Sequence, residues 1–354
     1  MLATWIAAGA SIVPSNLCAD QAAAKPVQQT TEAKAPLTRW LDISAASVSA
    51  RYRFVRDGND RTRLNQLQTQ QIGRFRLKLD QAAKYAIHLR LQSGNTFTGS
   101  WNNTGVGTGT PRAAVLVRDL YGSMQPLAGM EAQYGGIGIA RGENSEITSY
   151  DNDGYLTGGR LSVRRRATFF FDEISVTIAY LGDVTTPNVF RRFKRLNEVN
   201  YHQVLVARHF GARLAASTDY TDAPDADALR QGIRVLLGSR WLDAIRIEYG
   251  IKTDGPTRDY AVATTAEKHI AKNVLITGGW SDVRPGLAML NADRYGSGQR
   301  LFTIGSVPLG GDLTASWAVL RELDAPASSS DKIRVDAMVT WNLLRTLQRA
   351  GVVH

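Results

Sequence analysis

The chain has 354 residues, with 42 Lys and Arg against 32 Asp and Glu and a formal net charge of +10 at pH 7. That length suits one large barrel or two ordinary domains, and the single cysteine, Cys18, lies in the N-terminal segment, which excludes a disulfide scaffold or a cysteine-based metal site in a mature chain. A basic excess points to nucleic acid, an anionic surface or anionic solutes, and only the placement of the arginines separates these.

Leu2 to Val13 is apolar and Ala-rich, and the small Cys18 and Ala19 precede the polar Asp20. This order predicts a secretory signal peptide over 1–19. No Lys or Arg precedes the apolar run, however, and the first basic residue is Lys25. A buried helix is the competing reading. Residues 20–40 are rich in Ala, Gln, Thr, Lys and Pro without apolar periodicity, which predicts a flexible periplasmic lead-in. No later stretch reaches the roughly 18 uncharged apolar residues that a membrane helix needs.

Beyond that point the signal is period-two alternation, the mark of strands with two different faces. Phe75, Leu77 and Leu79 interleave with Arg74, Arg76 and Lys78; Ile245, Ile247 and Tyr249 interleave with Arg246 and Glu248. Such runs predict about sixteen strands (14–18), at 46–57, 70–80, 84–94, 113–122, 129–141, 157–165, 172–182, 200–210, 212–220, 228–238, 243–253, 259–268, 273–282, 299–308, 312–323 and 332–344. The connections alternate in length. Long ones fall at 58–69, 95–112, 142–156, 183–199, 283–298 and 324–331; short ones fall near 81–83, 122–128, 211, 239–242 and 309–311. Short periplasmic turns and long extracellular loops on an even strand count are what an outer-membrane barrel requires. The expected fold is therefore all-β, a transmembrane antiparallel barrel over 41–354. Aromatics on the apolar faces, namely Tyr52, Phe54, Tyr85, Tyr180, Tyr249, Trp280, Trp317 and Trp341, suit two interfacial girdles. A soluble sheet also alternates, with its apolar face on a core. The basic run Val189 to Leu196 is a candidate loop helix, and Leu343 to Val353 either extends the last strand or closes it with a helical turn.

The basic ladder is the main candidate site. Parity places Arg51, Arg53, Arg74, Arg76, Lys78, Arg90, Arg160, Arg164, Arg230, Arg234, Arg246 and Arg334 opposite the lipid face. A Lys or Arg facing lipid at mid-bilayer costs about 2–4 kcal/mol, so these side chains belong in the lumen and not on nucleic acid. Basic rings favour anions in a pore, and guanidinium groups bind carboxylate and phosphate at two points. The competing reading is a structural charge network with Glu131, Glu173, Glu248, Glu267, Glu322 and Asp336. Arginines near strand ends also suit anionic lipid head groups.

The acidic segment Glu143 to Asp153 is the second candidate. Glu143, Glu146, Asp151 and Asp153 sit on the third outer loop, which is expected to fold inward and narrow the pore. Asp151, Asp153 and Gly154 carry part of a calcium-loop pattern, but without the distal glutamate they read better as a solvated Asn-Asp-Gly turn. The Gly-rich stretch Gly94 to Gly109 lacks a Gly-Lys-Ser/Thr ending and is no phosphate loop. Its Trp101 is expected at the membrane surface, with stacking on a sugar as the alternative. The histidines His88, His202, His209, His269 and His354 have no metal-ligand spacing, and no Gly-x-Ser-x-Gly elbow occurs. No cofactor, metal or catalytic group is expected.

These residues resemble bacterial outer-membrane porins, in general the anion-selective alginate-export and phosphate-porin types. The segments Gly94 to Gly109, Gly129 to Gly136, Arg141 to Asn144 and Ser149 to Tyr155 are similar to uncharacterised porin-like proteins. The chain departs from many outer-membrane proteins in ending Gly351-Val352-Val353-His354, without a terminal aromatic. The resemblance implies passive diffusion of small anionic solutes, contact with the lipid bilayer and lipopolysaccharide, and a homotrimer. The alternatives are a structural or adhesive barrel with a blocked lumen, and a barrel-embedded hydrolase.

Overall fold

A computed structural model describes residues 39–94, 100–149, 155–164, 170–182, 188–224, 226–256, 258–271, 273–288, 296–324 and 331–352. The expected signal peptide and most of the lead-in lie outside the described residues. The strands are β1 (Leu41–Asp57), β2 (Thr62–Lys78), β3 (Tyr85–Ser93), β4 (Asn102–Gly107), β5 (Val115–Met124), β6 (Met130–Gly138), β7 (Tyr155–Arg164), β8 (Glu173–Tyr180), β9 (Tyr201–Phe210), β10 (Leu214–Asp222), β11 (Ala228–Leu236), β12 (Ala244–Lys252), β13 (Tyr260–Ala271), β14 (Val274–Val283), β15 (Gly298–Gly310), β16 (Leu313–Glu322) and β17 (Asp331–Asn342). All strand pairs are antiparallel between neighbours, and β1 pairs with both β2 and β17. The sheet therefore closes on itself and has no free edge. Sixteen strands form the ring, since β3 pairs directly with β5 while β4 lies beside the upper part of β2.

The two faces of the ring are reversed relative to a soluble protein. Tyr52, Ile87, Val176, Val204, Ile233, Ile247, Tyr249, Val339 and Trp341 are exposed, whereas Ser49, Arg51, Arg53, Gln203, Asp219, Arg230, Glu248 and Asp336 are buried. A continuous apolar outer band in water forfeits about 25 cal/mol per Å² of apolar surface left exposed; in lipid it forfeits nothing. Each strand of the ring is meanwhile hydrogen-bonded to a neighbour on both sides, which hydrocarbon demands. No helix among the described residues is long and apolar enough to cross a membrane; the strands do the crossing.

One rim carries the longer connections, between β3 and β5, β6 and β7, β8 and β9, and β14 and β15, and the other carries tight turns such as 211–213 and 311–312. The first outer loop differs from expectation: it spans only 58–61, because β2 starts at Thr62. Residues 62–69 hide their strand because both faces are polar. Gln66 and Gln68 are buried inward, while Asn65 faces outward and accepts the Tyr52 hydroxyl at 2.7 Å. The Gly-rich stretch likewise contains β4.

Three short helices occur among the described residues. α1 (Val189–Arg192) starts at Asn188, whose side chain accepts from the Phe190 N–H at 3.0 Å, and Phe193–Arg195 extends it as a 3-10 turn. It packs on β5, with Val189 seated over Gly136. α2 (Pro285–Ala288) follows β14. α3 (Leu343–Arg349) ends the last strand: the Asn342 side chain accepts from the Arg345 N–H at 3.1 Å, satisfying an otherwise orphaned donor. Thr346 donates to Asp312 at 2.5 Å and accepts from the Trp341 indole at 2.9 Å, and Arg349 pairs with the same Asp312.

Candidate functional site

The inner wall of β17, β1 and β2 brings three guanidinium groups to one carboxylate. Antiparallel register sets Arg53 directly opposite Asp336, and period two puts Arg51 and Arg334 on the same face. Asp336 accepts from Arg53 Nε at 2.8 Å and Nη2 at 3.1 Å, and from Arg334 Nη2 at 2.9 Å and Nε at 3.1 Å. Arg51 Nη1 lies 3.7 Å away. Arg51 also donates to Gln68 Oε1 from Nε at 3.0 Å and from Nη2 at 2.5 Å, and its guanidinium lies 3.9 Å from the centre of the Trp101 ring. Among the described residues, three guanidinium groups gather at one carboxylate. Trp101 is thus an inner-side residue, not a membrane-surface anchor. The Ser100 carbonyl beside it accepts from Gln70 at 3.2 Å and Ser93 at 3.0 Å, which turns the loop inward.

The other basic residues singled out from the sequence occupy the same face with varied neighbours. Arg74, Arg76 and Lys78 descend β2 towards the short-turn rim; Arg76 donates to the Ala83 carbonyl at 3.0 Å and Lys78 pairs with Asp42 at 2.6 Å. Arg90 is 3.8 Å from Asp119. Arg160 donates to Thr177 at 3.0 Å and to the Gly138 carbonyl. Arg164 bridges Glu131 at 3.4 Å and Glu173 at 3.1 Å. Arg230 donates to Asp219 at 2.7 Å and Thr221 at 2.9 Å, and Arg234 pairs with Glu267 at 2.9 Å. Arg246 is buried on β12. Two rungs set like charges opposite each other, Arg74 facing Arg90 and Arg234 facing Arg246. Such pairs destabilise a sheet, and Asp119 beside Arg90 and Glu267 beside Arg234 offset the repulsion.

Three further arginines escaped the sequence reading. Arg118 is fully buried where the β3–β5 register shifts, so alternation fails there. Arg300, 3.4 Å from Glu322, shares its inner face with Phe302 and Ile304, which erases the polar–apolar contrast. Arg141 lies in a loop, 3.8 Å from Glu146.

That loop, 139–149, folds into the barrel. The Ala140 carbonyl accepts from Gln203 at 2.7 Å, the Glu143 N–H donates to Ser217 at 2.7 Å, and Asn144 donates to Asp219 at 2.9 Å. Glu248 accepts from the Ser145 N–H at 2.8 Å and the Thr148 hydroxyl at 2.6 Å. These partners belong to the inner faces of β9, β10 and β12, two, three and five strands round the ring from β7. Two glycines make the close seating feasible. Gly142 has φ +58°, and a Cβ there would lie 2.5 Å from Ser217 Oγ; a Cβ on Gly232 would lie 2.8 Å from the Glu143 carbonyl carbon. Glu146 is buried and Glu143 half-buried. Asp151 and Asp153 lie outside the described residues.

The histidines remain dispersed. His202, His209 and His269 each meet a single aspartate, Asp222, Asp172 and Asp243, at 3.0, 3.2 and 2.8 Å, while His88 stacks on Tyr121. Among the described residues no group of three or more His, Cys, Asp or Glu is placed to hold a metal.

No family model matches the chain, and no curated protein matches it. Solved structures do. OmpF of Salmonella typhi, solved with daunomycin, is 11% identical with a TM-score of 0.56, covering 86% of this chain and 98% of its own. OprB of Pseudomonas putida at low pH is 8% identical with a TM-score of 0.54, covering 86% and 93%. A substituted Rh. blastica porin is 11% identical with a TM-score of 0.53, covering 85% and 99%. At these identities the likeness is one of fold: a closed sixteen-stranded antiparallel barrel of the outer-membrane porin type.

Proposed function

We propose that this chain is a passive diffusion channel of the Gram-negative outer membrane, with a preference for small anionic solutes. The observation that carries the preference is the convergence of Arg51, Arg53 and Arg334 on the single carboxylate of Asp336. Fixed positive charge on a pore wall raises the local concentration of anions and repels cations. The basic ladder therefore lines the pore, and loop 139–149, carrying Glu143 and Glu146, narrows it. Short turns face the periplasm and long loops face outward. A homotrimer belongs to this proposal through the resemblance to sixteen-stranded porins.

A second reading is favoured by the depth at which loop 139–149 is buried. If that loop and Trp101 seal the lumen, the chain is a structural barrel. Reconstitution into planar bilayers separates the two. Discrete conductance steps support the channel, and an electrically silent, heat-modifiable barrel supports the sealed form.

A further inference from the structure

We infer that the outer wall of β16, β17, β1 and β2 carries a binding site for the phosphorylated head group of an outer-leaflet glycolipid, built from Arg56 and Arg321. Both residues are exposed and both stand on the outward parity of their strands. The registers place Arg56 opposite Ile333 and Ile333 opposite Arg321, so the two arginines share one row. Two strand steps separate them by about 10 Å, within the reach of two long side chains closing on one phosphorylated group.

Their height on the barrel fits this role. The row of Val48, Trp341 and Leu313 marks the lower part of the exposed apolar band on the same strands. Arg56 lies eight residues above Val48 along β1. At a rise of ~3.4 Å per residue and a tilt of ~40° this is ~20 Å of height, against an apolar band of ~25 Å. The row thus sits at the upper edge of the hydrocarbon, on the long-loop side. An outward arginine there costs about 0–1 kcal/mol, against about 2–4 at mid-bilayer. Between the two rows the outward residues on β1, Ala50, Tyr52 and Phe54, are uncharged, and Arg56 lies over the Phe54 ring at 5.9 Å. Arg63 is the extra residue of the bulge that faces Arg56 on β2. Asp60, close enough to feel Arg56, is engaged by Lys332 at 3.0 Å. The two outward arginines face lipid, so their occupant carries both acyl chains and anionic oxygens. Guanidinium groups bind phosphate at two points.

The site depends on the outer-membrane placement proposed above, and the test separates the two. The full chain, folded in detergent, is titrated with defined bis-phosphoryl lipid A and followed by native mass spectrometry. The expected result is that R56A/R321A weakens binding at least tenfold, R56K/R321K weakens it less, and R208A, outward near the opposite rim, leaves it unchanged. Lipid A stripped of both phosphates should bind at least tenfold more weakly, and inorganic phosphate should not compete at equal phosphate concentration. Equal binding by R56A/R321A, an equal loss in R208A, or equal binding of the stripped lipid overturns the site. Competition by inorganic phosphate overturns the lipid as its occupant. A chain without heat-modifiable migration fails the barrel itself, whereas a heat-modifiable barrel with unchanged affinity fails only this site.

Discussion

Substituting Asp336 by Asn removes one negative charge while preserving shape. Asp336 is buried and receives four short bonds, two from Arg53 and two from Arg334. Leaving buried guanidinium groups without their carboxylate costs about 3–5 kcal/mol. Arg51 keeps Gln68 and Trp101, so the loss should fall near the lower figure. The same change adds one net positive charge to the wall. For an ion passing at ~8 Å, that charge is worth between about 0.5 kcal/mol in water and about 2 kcal/mol at an effective dielectric constant near 20. Chloride passage should therefore be favoured between about twofold and thirtyfold and potassium disfavoured by the same factor, so that the permeability ratio rises by its square. Denaturant titration of the heat-modifiable band reads the stability, and the reversal potential reads the ratio. An Asp336→Asn barrel with unchanged stability and an unchanged or reduced chloride preference would refute the three-to-one arrangement.

Other consequences follow from single contacts. Glu248→Gln weakens the two bonds that hold Ser145 and Thr148, by about 1.5–3 kcal/mol each at most for a charged acceptor; limited proteolysis should cut loop 139–149 faster than in the parent chain, with the barrel intact. Gly142→Ala meets a φ of +58° and a Cβ only 2.5 Å from Ser217 Oγ. It should undock the same loop through about 1–2 kcal/mol of backbone cost plus the clash, read as a change in single-channel conductance. Asp243, in the turn before β12, responds to pH. Burial raises its carboxyl, but the His269 N–H, the Lys268 ammonium and the His269 ring outweigh that and hold it at about 2. A depressed carboxylate stabilises the fold above its ordinary value of 3.8 and loses this as pH falls towards about 2. Acid melts of the parent should therefore steepen between about pH 4 and 2, and those of Asp243→Asn should be flatter there.

The barrel was legible because lipid imposes a simple contrast on each strand, and β12 or β17 display it without interruption. It faded wherever that contrast was absent. Residues 62–69 are polar on both faces, so β2 looked eight residues shorter than it is. Arg118 follows a register shift, and Arg300 shares its face with Phe302 and Ile304. Parity could place Arg53 and Arg334 inward, yet it held no information that both meet Asp336, since that depends on the closure of β1 onto β17, some 280 residues apart in the chain. Trp101 was misplaced for a similar reason: a loop aromatic carries no parity, and only the bond from Gln70 to Ser100 turns it towards Arg51. The anchors of loop 139–149 on Asp219 and Glu248 depend on the curvature of the ring, which no local pattern carries.

The most direct test of the account is the reversal potential of the unmodified chain in planar bilayers under asymmetric KCl. Chloride preference, with a sign set by anion flow, is the predicted result. A reversal potential on the potassium side would contradict the positive inner wall as the determinant of passage.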